Sequence, residues 1–334
     1  TAKVLGYENS YVFISSSNGR SLITIEISEE DKLFRVKYNS ETGKHVLIDV
    51  DKTKKDYIEE GPPVITPKDN KQEKKRKKKS HQSKAKSFFS ENETSTKSSV
   101  ITGDDGPVVI TLLIVYTPAA EKWAADNEGG INNTIAALMN RSQLALDNSN
   151  TNIILHLVHS AEVDYVEWHD SDDLVNLRKD EDGYMDVVHT WRDNYSADVV
   201  VLLEETGFTG GLGYLLSNES GSPAYAFSLT RVQQASWTYT VIHEIGHNMG
   251  AHHHKDQTTQ PGPGLFDYSA GGRWIGNDNE RYCSVMTYQS GDYFDDGENH
   301  LRVSYFSELN MNHQGGPTGD ADHADNVRIL LFTK

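Results

Sequence analysis

Two histidines four residues apart, with a third six residues further on, constrain this chain more than anything else in it. They lie in HEIGHNMGAHHHK at 243–255. On a helix, side chains at i and i+4 stand one above the other on one face. His243 and His247 can therefore grip one ion from a single helix, and Glu244 follows the first of them. H-E-x-x-H on a helix is a zinc-hydrolase arrangement, and here it extends to H-E-x-x-H-x-x-G-x-x-H. Gly250 can take a left-handed conformation and end the helix, so the chain can turn back with a third ligand. Counting from that glycine selects His253 and leaves His252 and His254 outside the spacing. Zinc that does chemistry takes three protein ligands and keeps a position for water. An isolated buried histidine is more simply a hydrogen-bonded core residue, but five fixed positions in eleven fit that reading poorly. Within SWTYTVIHEIGHNMG, apolar Val241, Ile242, Ile245 and Met249 supply a buried side for the expected helix.

The rest of the chain, 334 residues in all, divides by composition. YVFISS, SLITIEI, LFRVKYN and HVLIDV are β-rich runs separated by polar turns, and they predict a small, mainly antiparallel domain over 1–66. Residues 67–106 contain KDNKQEKKRKKKSHQSKAKS, which has almost no apolar residues and cannot bury enough surface to order itself. A flexible linker open to proteolytic cleavage is expected there. From 107 to 334 the pattern is α/β. VVITLLIVYT, TNIILHLVHSAEVDYVE and ADVVVLLEE read as strands. INNTIAALMNRSQLALDNS, DDLVNLRKD and GYMDVVHTWRDNYS read as helices. AYAFSL is expected as an edge strand after the glycine-rich FTGGLGY. Residues 255–334 read as loop-rich, closing with a helix near ADNVRILLF. This order suits a twisted, mixed sheet with helices packed on it.

Charge sharpens the division. Residues 1–100 hold 20 Lys+Arg against 15 Asp+Glu, and the totals of 32 and 49 leave 12 against 34 for the remainder. The two parts should attract each other. The acidic part argues against nucleic acid as a partner, because phosphates need a basic surface, and no apolar run is long enough to span a membrane. The single cysteine, Cys283, cannot form an internal disulfide. Clustered carboxylates at 291–299 and 319–325 are candidate Ca²⁺ loops, although acidic solvated loops are commoner.

The chain resembles a known group at several places. The long histidine motif, followed by CSVMTY at 283–288, is similar to the zinc helix and methionine turn of the metzincin proteases. LLIVYTPAA, DGYMDVVHTWRDNYSADVVVLL, and YFS followed by PTGDADHADNVRIL extend the likeness to bacterial peptidyl-Asp metallopeptidases and reprolysin-like enzymes. The run ending HVLIDVD resembles that family's pro-region. The resemblance implies a secreted zinc endopeptidase made as a proenzyme, monomeric, acting on protein or peptide substrates and blocked by its own pro-domain. It assigns zinc to His243, His247 and His253, the general base to Glu244, and a packing platform beneath the metal to Met286. Tyr288 stands where relatives place a tyrosine that moves onto and off the metal, and it is a candidate for stabilising the oxyanion. Asp49, Asp51, His45 and His81 are the pro-region residues considered for blocking the metal.

The chain departs from the family pattern in three ways. His254 replaces the aspartate that often follows the third histidine. GGLGY stands where relatives often place a cysteine partner for Cys283. No basic residue can be assigned to a pocket for acidic side chains, so that preference is not carried over. Alternative readings are a narrow-specificity toxin, a catalytically silent zinc-binding or adhesion module, and a polybasic segment that binds anionic surfaces.

Overall fold

The computed structural model describes residues 2–30, 32–51, 54, 56–67 and 106–334. The lysine-rich linker and His81 lie outside them. Four strands open the chain: β1 (Ser10–Ser17), β2 (Arg20–Ile27), β3 (Lys32–Asn39) and β4 (Lys44–Asp49). They pair antiparallel in sequence order. Phe13, Leu22, Ile27 and Leu33 are buried on this sheet.

The main sheet follows. Its strands are β5 (Val64–Ile65), β6 (Val108–Tyr116), β7 (Ile153–Glu162), β8 (Val199–Glu204), β9 (Gly211–Leu215) and β10 (Phe227–Arg231). The order across it is β5-β9-β10-β8-β6-β7. β7, β6, β8 and β10 run parallel, and β9 is antiparallel to β10. A parallel strand is covered on both faces, which is why VVVLLE in β8 is buried along its whole length.

Helices supply that cover. α1 (Pro118–Glu128) and α2 (Ile131–Asn148) lie on one face; α3 (Asp170–Arg178) and α4 (Val187–Tyr195) pack against the other. The short α5 (Val232–Ala235) and then α6 (Thr240–Asn248) join the first face. Beyond α6 come β11 (Arg273–Ile275), β12 (Arg281–Cys283) and β13 (Leu301–Arg302) as a small sheet. A two-stranded ribbon of β14 (Asn312–His313) and β15 (Gly316–Pro317) follows, and then α7 (Asn326–Thr333).

One expectation needs correction, and two features were not foreseen. AYAFSL is not an edge: β10 lies between β9 and β8, because Phe227 and Leu229 are needed in the core. The edge on that side is β5, which lies along the glycine-rich β9. Residues 56–66 do not stay with the N-terminal sheet; β5 crosses over and pairs parallel with β9. α1 was not expected as a helix. It is set by Thr117, whose hydroxyl accepts from the Ala120 N–H at 3.0 Å, by Pro118 in the first turn, and by left-handed Gly129 at its end.

The N-terminal sheet docks through buried ion pairs. Arg35 Nη2 lies 2.8 Å from Glu128 on α1, and Arg141 on α2 pairs with Glu26.

Candidate active site

α6 carries the site. Its buried face includes Val241, Ile242 and Ile245, so His243 and His247 are carried inward with it. Gly246 lies between them, and a Cβ there would come within 2.6 Å of Met286 Sδ. Met286 thus packs directly under the helix, fully buried beside Phe306. Gly246 was missed in the sequence reading, although a glycine inside a helix, about 1 kcal/mol worse than alanine, was a visible signal. Helix α6 stops where Gly250 takes φ +89°.

His243, His247 and His253 are buried, and their ligand nitrogens lie within 4.8 Å of one another. Each Nδ1 meets a backbone carbonyl: Val285 O at 2.9 Å, Ala251 O at 2.9 Å and Gln260 O at 3.1 Å. A carbonyl only accepts, so each Nδ1 carries the proton and each Nε2 presents a lone pair. His247 and His253 Nε2 face each other at 3.1 Å, and His243 Nε2 has no partner. Three converging lone pairs with no donor fit a cation. Burial pushes His243 down to about 4, and burial with the neighbouring rings lowers His247 and His253 well below the usual range. The imidazoles are therefore neutral, as ligands must be. The flanking histidines are engaged elsewhere. His252 Nδ1 accepts from the His253 N–H at 2.7 Å, and His254 Nδ1 accepts from the Asp256 N–H at 3.1 Å.

Glu244 is fully buried, and neither of its carboxylate oxygens has a protein partner. Burial pushes its carboxyl well above the usual range. It lies against β9. A Cβ on Gly211 would stand 2.8 Å from Glu244 Oε1, and one on Gly213 2.9 Å from Oε2. The glycines of GGLGY therefore give the carboxylate its room. Tyr288 packs at a tilt against His253, with ring centroids 4.6 Å apart, and donates its hydroxyl to the backbone carbonyl of Glu60.

Glu60 belongs to the extended N-terminal segment lying along the edge of β9. Gly210 N donates to Glu59 O at 3.0 Å, Gly61 N to Gly211 O at 2.7 Å, and Thr66 N to Leu215 O at 3.0 Å. Glu60 makes a bidentate pair with Arg302, at 2.6 and 2.9 Å, and accepts from Thr240 Oγ1 at 2.8 Å. Glu59 lies 3.3 Å from the same guanidinium. Burial alone would raise the Glu60 carboxyl, but Arg302 brings it down to about 2. Of the residues considered for blocking the metal, His81 lies outside the described residues and the other three do not take this place. Strand β4, with His45 and Asp49, is exposed throughout; His45 Nε2 accepts from the Ser21 N–H, and Asp51 pairs with Lys54. The sequence reading missed Glu60 and Arg302, which meet across 242 residues.

The suggested Ca²⁺ loops do not gather ligands either. Asp296 pairs with Arg273, Glu298 with Arg281, and Asp320 with His323. Among the described residues the carboxylate cluster is Asp170, Asp173 and Glu204. Cys283 is buried and unpaired, its thiol pushed up to about 12 by burial.

A histidine cluster of this form beside a buried glutamate defines a metallopeptidase-type centre. The profile of metallopeptidase family M12 (Reprolysin_5) matches residues 107–304, and the chain belongs to that family. It is 32% identical over 227 residues to a peptidyl-Asp metalloendopeptidase of Stenotrophomonas maltophilia, covering 67% of this chain and 51% of that one. It is 35% identical over 189 residues to a peptidyl-Asp metalloendopeptidase of Xanthomonas campestris, covering 56% and 42%. The chain thus spans about half the length of the relatives it matches. Metalloproteinase-II from Bacteroides fragilis, 13% identical, aligns over 77% of this chain and 78% of that one with a TM-score of 0.42.

Proposed function

We propose that this chain is a secreted, metzincin-type zinc endopeptidase in latent form. In this reading residues 1–66 are the inhibitory pro-domain, 67–106 the cleavable linker and 107–334 the catalytic domain. The observation that carries it is the set of three buried imidazoles, each fixed by a carbonyl, converging beside an unpartnered Glu244. His243, His247 and His253 would hold the zinc, which when bound supplies Lewis acidity that activates water and polarises a carbonyl. Glu244 takes the proton from the attacking water at its carboxylate and returns it to the leaving amine. Its raised affinity for a proton suits that role. Tyr288 donates a hydrogen bond to a carbonyl oxygen (that of Glu60 in the latent chain) and can offer the same bond to a substrate oxyanion.

Latency follows from occupancy of the edge. An extended peptide adds to an exposed strand through main-chain hydrogen bonds, and residues 59–66 already use the edge of β9. Removal of the segment exposes Arg302, a buried guanidinium suited to bidentate capture of a carboxylate. This supports an acidic side chain next to the cut bond, in keeping with the relatives' name, with Glu60 as its stand-in.

The test is a time course on the full chain, with and without trypsin, following intact mass and peptide cleavage, with Glu244→Ala alongside. The reading requires trimming within 68–106 and then digestion by the wild type. The variant should be trimmed and inert, with its zinc retained. Cuts clustered beside Asp or Glu, and lost in Arg302→Met, support the acidic pocket. A trimmed wild type that cuts nothing overturns the protease reading.

A further inference from the structure

Asp170, Asp173 and Glu204 bring ligand oxygens within 4.8 Å of one another, away from the histidines. They are 5%, 1% and 0% exposed. Asp170 and Asp173 stand in the first turn of α3, where carboxylates are favoured by the helix dipole, and each has a local role. Asp170 accepts from Thr206 Oγ1 at 2.8 Å, and Asp173 accepts from the Trp168 N–H at 3.1 Å and from the Tyr165 hydroxyl. These local bonds would account for those two alone.

Glu204 is not explained in that way. It closes β8, it is completely buried, and no N–H or hydroxyl donor reaches either carboxylate oxygen, whose hydrogen-bonding neighbour is the Asp170 carboxyl. It points into a group of carboxylates with no Lys, Arg or His paired to any of the three among the described residues. Arg231, its neighbour in register on β10, turns away to Thr206 O and Asp56. A buried charge is normally paired or bound to a metal, and here three formal negative charges share one pocket.

We propose that Asp170, Asp173 and Glu204 form a second metal site, for Ca²⁺. The donors are oxygen only, which favours a hard cation over zinc or copper. Ca²⁺ accepts carboxylates at 2.3–2.6 Å in irregular geometry, whereas Mg²⁺ demands a near-ideal octahedron and keeps several waters. Oxygens up to 4.8 Å apart can face one Ca²⁺ from opposite sides. The ion would tie the start of α3 to the end of β8, directly before the 205–210 loop that leads into β9. It would therefore brace the strand that borders the histidine site.

The test uses the full chain loaded with one equivalent of zinc and then titrated with CaCl2. Bound calcium and zinc per chain, and Tm, are read for the wild type and for Glu204→Gln. The expected wild type binds one calcium beyond its zinc, with a saturable rise in Tm. Glu204→Gln should bind one calcium fewer and lose that rise, with zinc content unchanged. A wild type that binds no calcium overturns the proposal, and the cluster is then a carboxyl–carboxylate group sharing protons. Equal calcium binding by the variant, or a second zinc in place of calcium, overturns it as well. If Glu204→Gln does not fold, Asp170→Asn is read in its place. Zinc content is recorded separately, so failure here leaves the peptidase reading untouched.

Discussion

Two buried carboxylate clusters flank the same sheet, and they are balanced differently. Glu59 and Glu60 meet Arg302, which reaches both. Asp170, Asp173 and Glu204 meet no cation among the described residues. Both clusters bear the cost of removing charge from water, but only the first is offset within the chain. Its partners come from separate stretches, 242 residues apart, so the offset acts as a clasp and can be undone by removing one stretch. The second lies wholly within the sheet and its own helix, so balance must come from protons or a bound ion.

The largest expected effect comes from making the first cluster resemble the second. Arg302→Met leaves two buried carboxylates facing no cation, and removing one partner of a buried pair costs about 3–5 kcal/mol. Residues 56–66 should lift from β9. Hydrogen exchange over that segment and its proteolysis rate would read this, and unchanged protection would break the comparison. Next come two matched substitutions of opposite sign. Glu60→Gln should weaken the clasp. Glu204→Gln should stabilise the metal-free chain by roughly 1–3 kcal/mol, the scale of an unsatisfied buried group. Urea unfolding in chelator decides it, and the same sign for both would erase the contrast.

Acidity separates the clusters further. Glu60 is lowered from 4.5 to about 2, so its stabilisation is complete above the unfolded value and is lost only as pH falls toward 2. Glu204 is raised well above 4.5, chiefly by burial and then by Asp173 and Asp170, so its cost grows as pH rises past 4.5. Moving from pH 7 to pH 5 should leave the Glu60–Arg302 pair closed while stabilising the metal-free chain. That gain should shrink in Glu204→Gln. Urea midpoints at the two pH values, with segment protection alongside, test both halves.

What the sequence made legible follows the same divide between local and distant contacts. The three histidines are set by spacing along one helix and a single turn, and four N-terminal strands and most of the helices follow from periodicity. α1 was readable from Thr117, Pro118 and Gly129 but escaped notice, because its apolar pattern is weak. Glu60 and Arg302 left no mark, since nothing in either neighbourhood points to a partner in the other. AYAFSL follows the glycine-rich FTGGLGY and carries no mark of its two neighbours; only the pairing of β9 with β5 shows where the edge lies.

The smallest expected effect concerns Glu244, which after Glu204 is the second buried carboxylate with neither oxygen partnered among the described residues. Glu60 and Arg302 act on it electrostatically but neither pairs with it; it is accommodated by absent side chains. A Cβ on Gly211 would lie 2.6 Å from Thr240 Cγ2 and 2.8 Å from Glu244 Oε1. Gly211→Ala must therefore shift one of them, and overpacking of this kind costs about 1–3 kcal/mol. Gly207 has open space around it and serves as the control. The trimmed Gly211→Ala enzyme should keep its zinc and lose turnover, because the displaced group is the one that handles the proton, while Gly207→Ala should behave as wild type. Wild-type turnover in Gly211→Ala would mean that β9 yields before Glu244 does. The glycines would then serve the approach of the peptide backbone, through the bond from Gly61 N to Gly211 O, more than the clearance of the carboxylate.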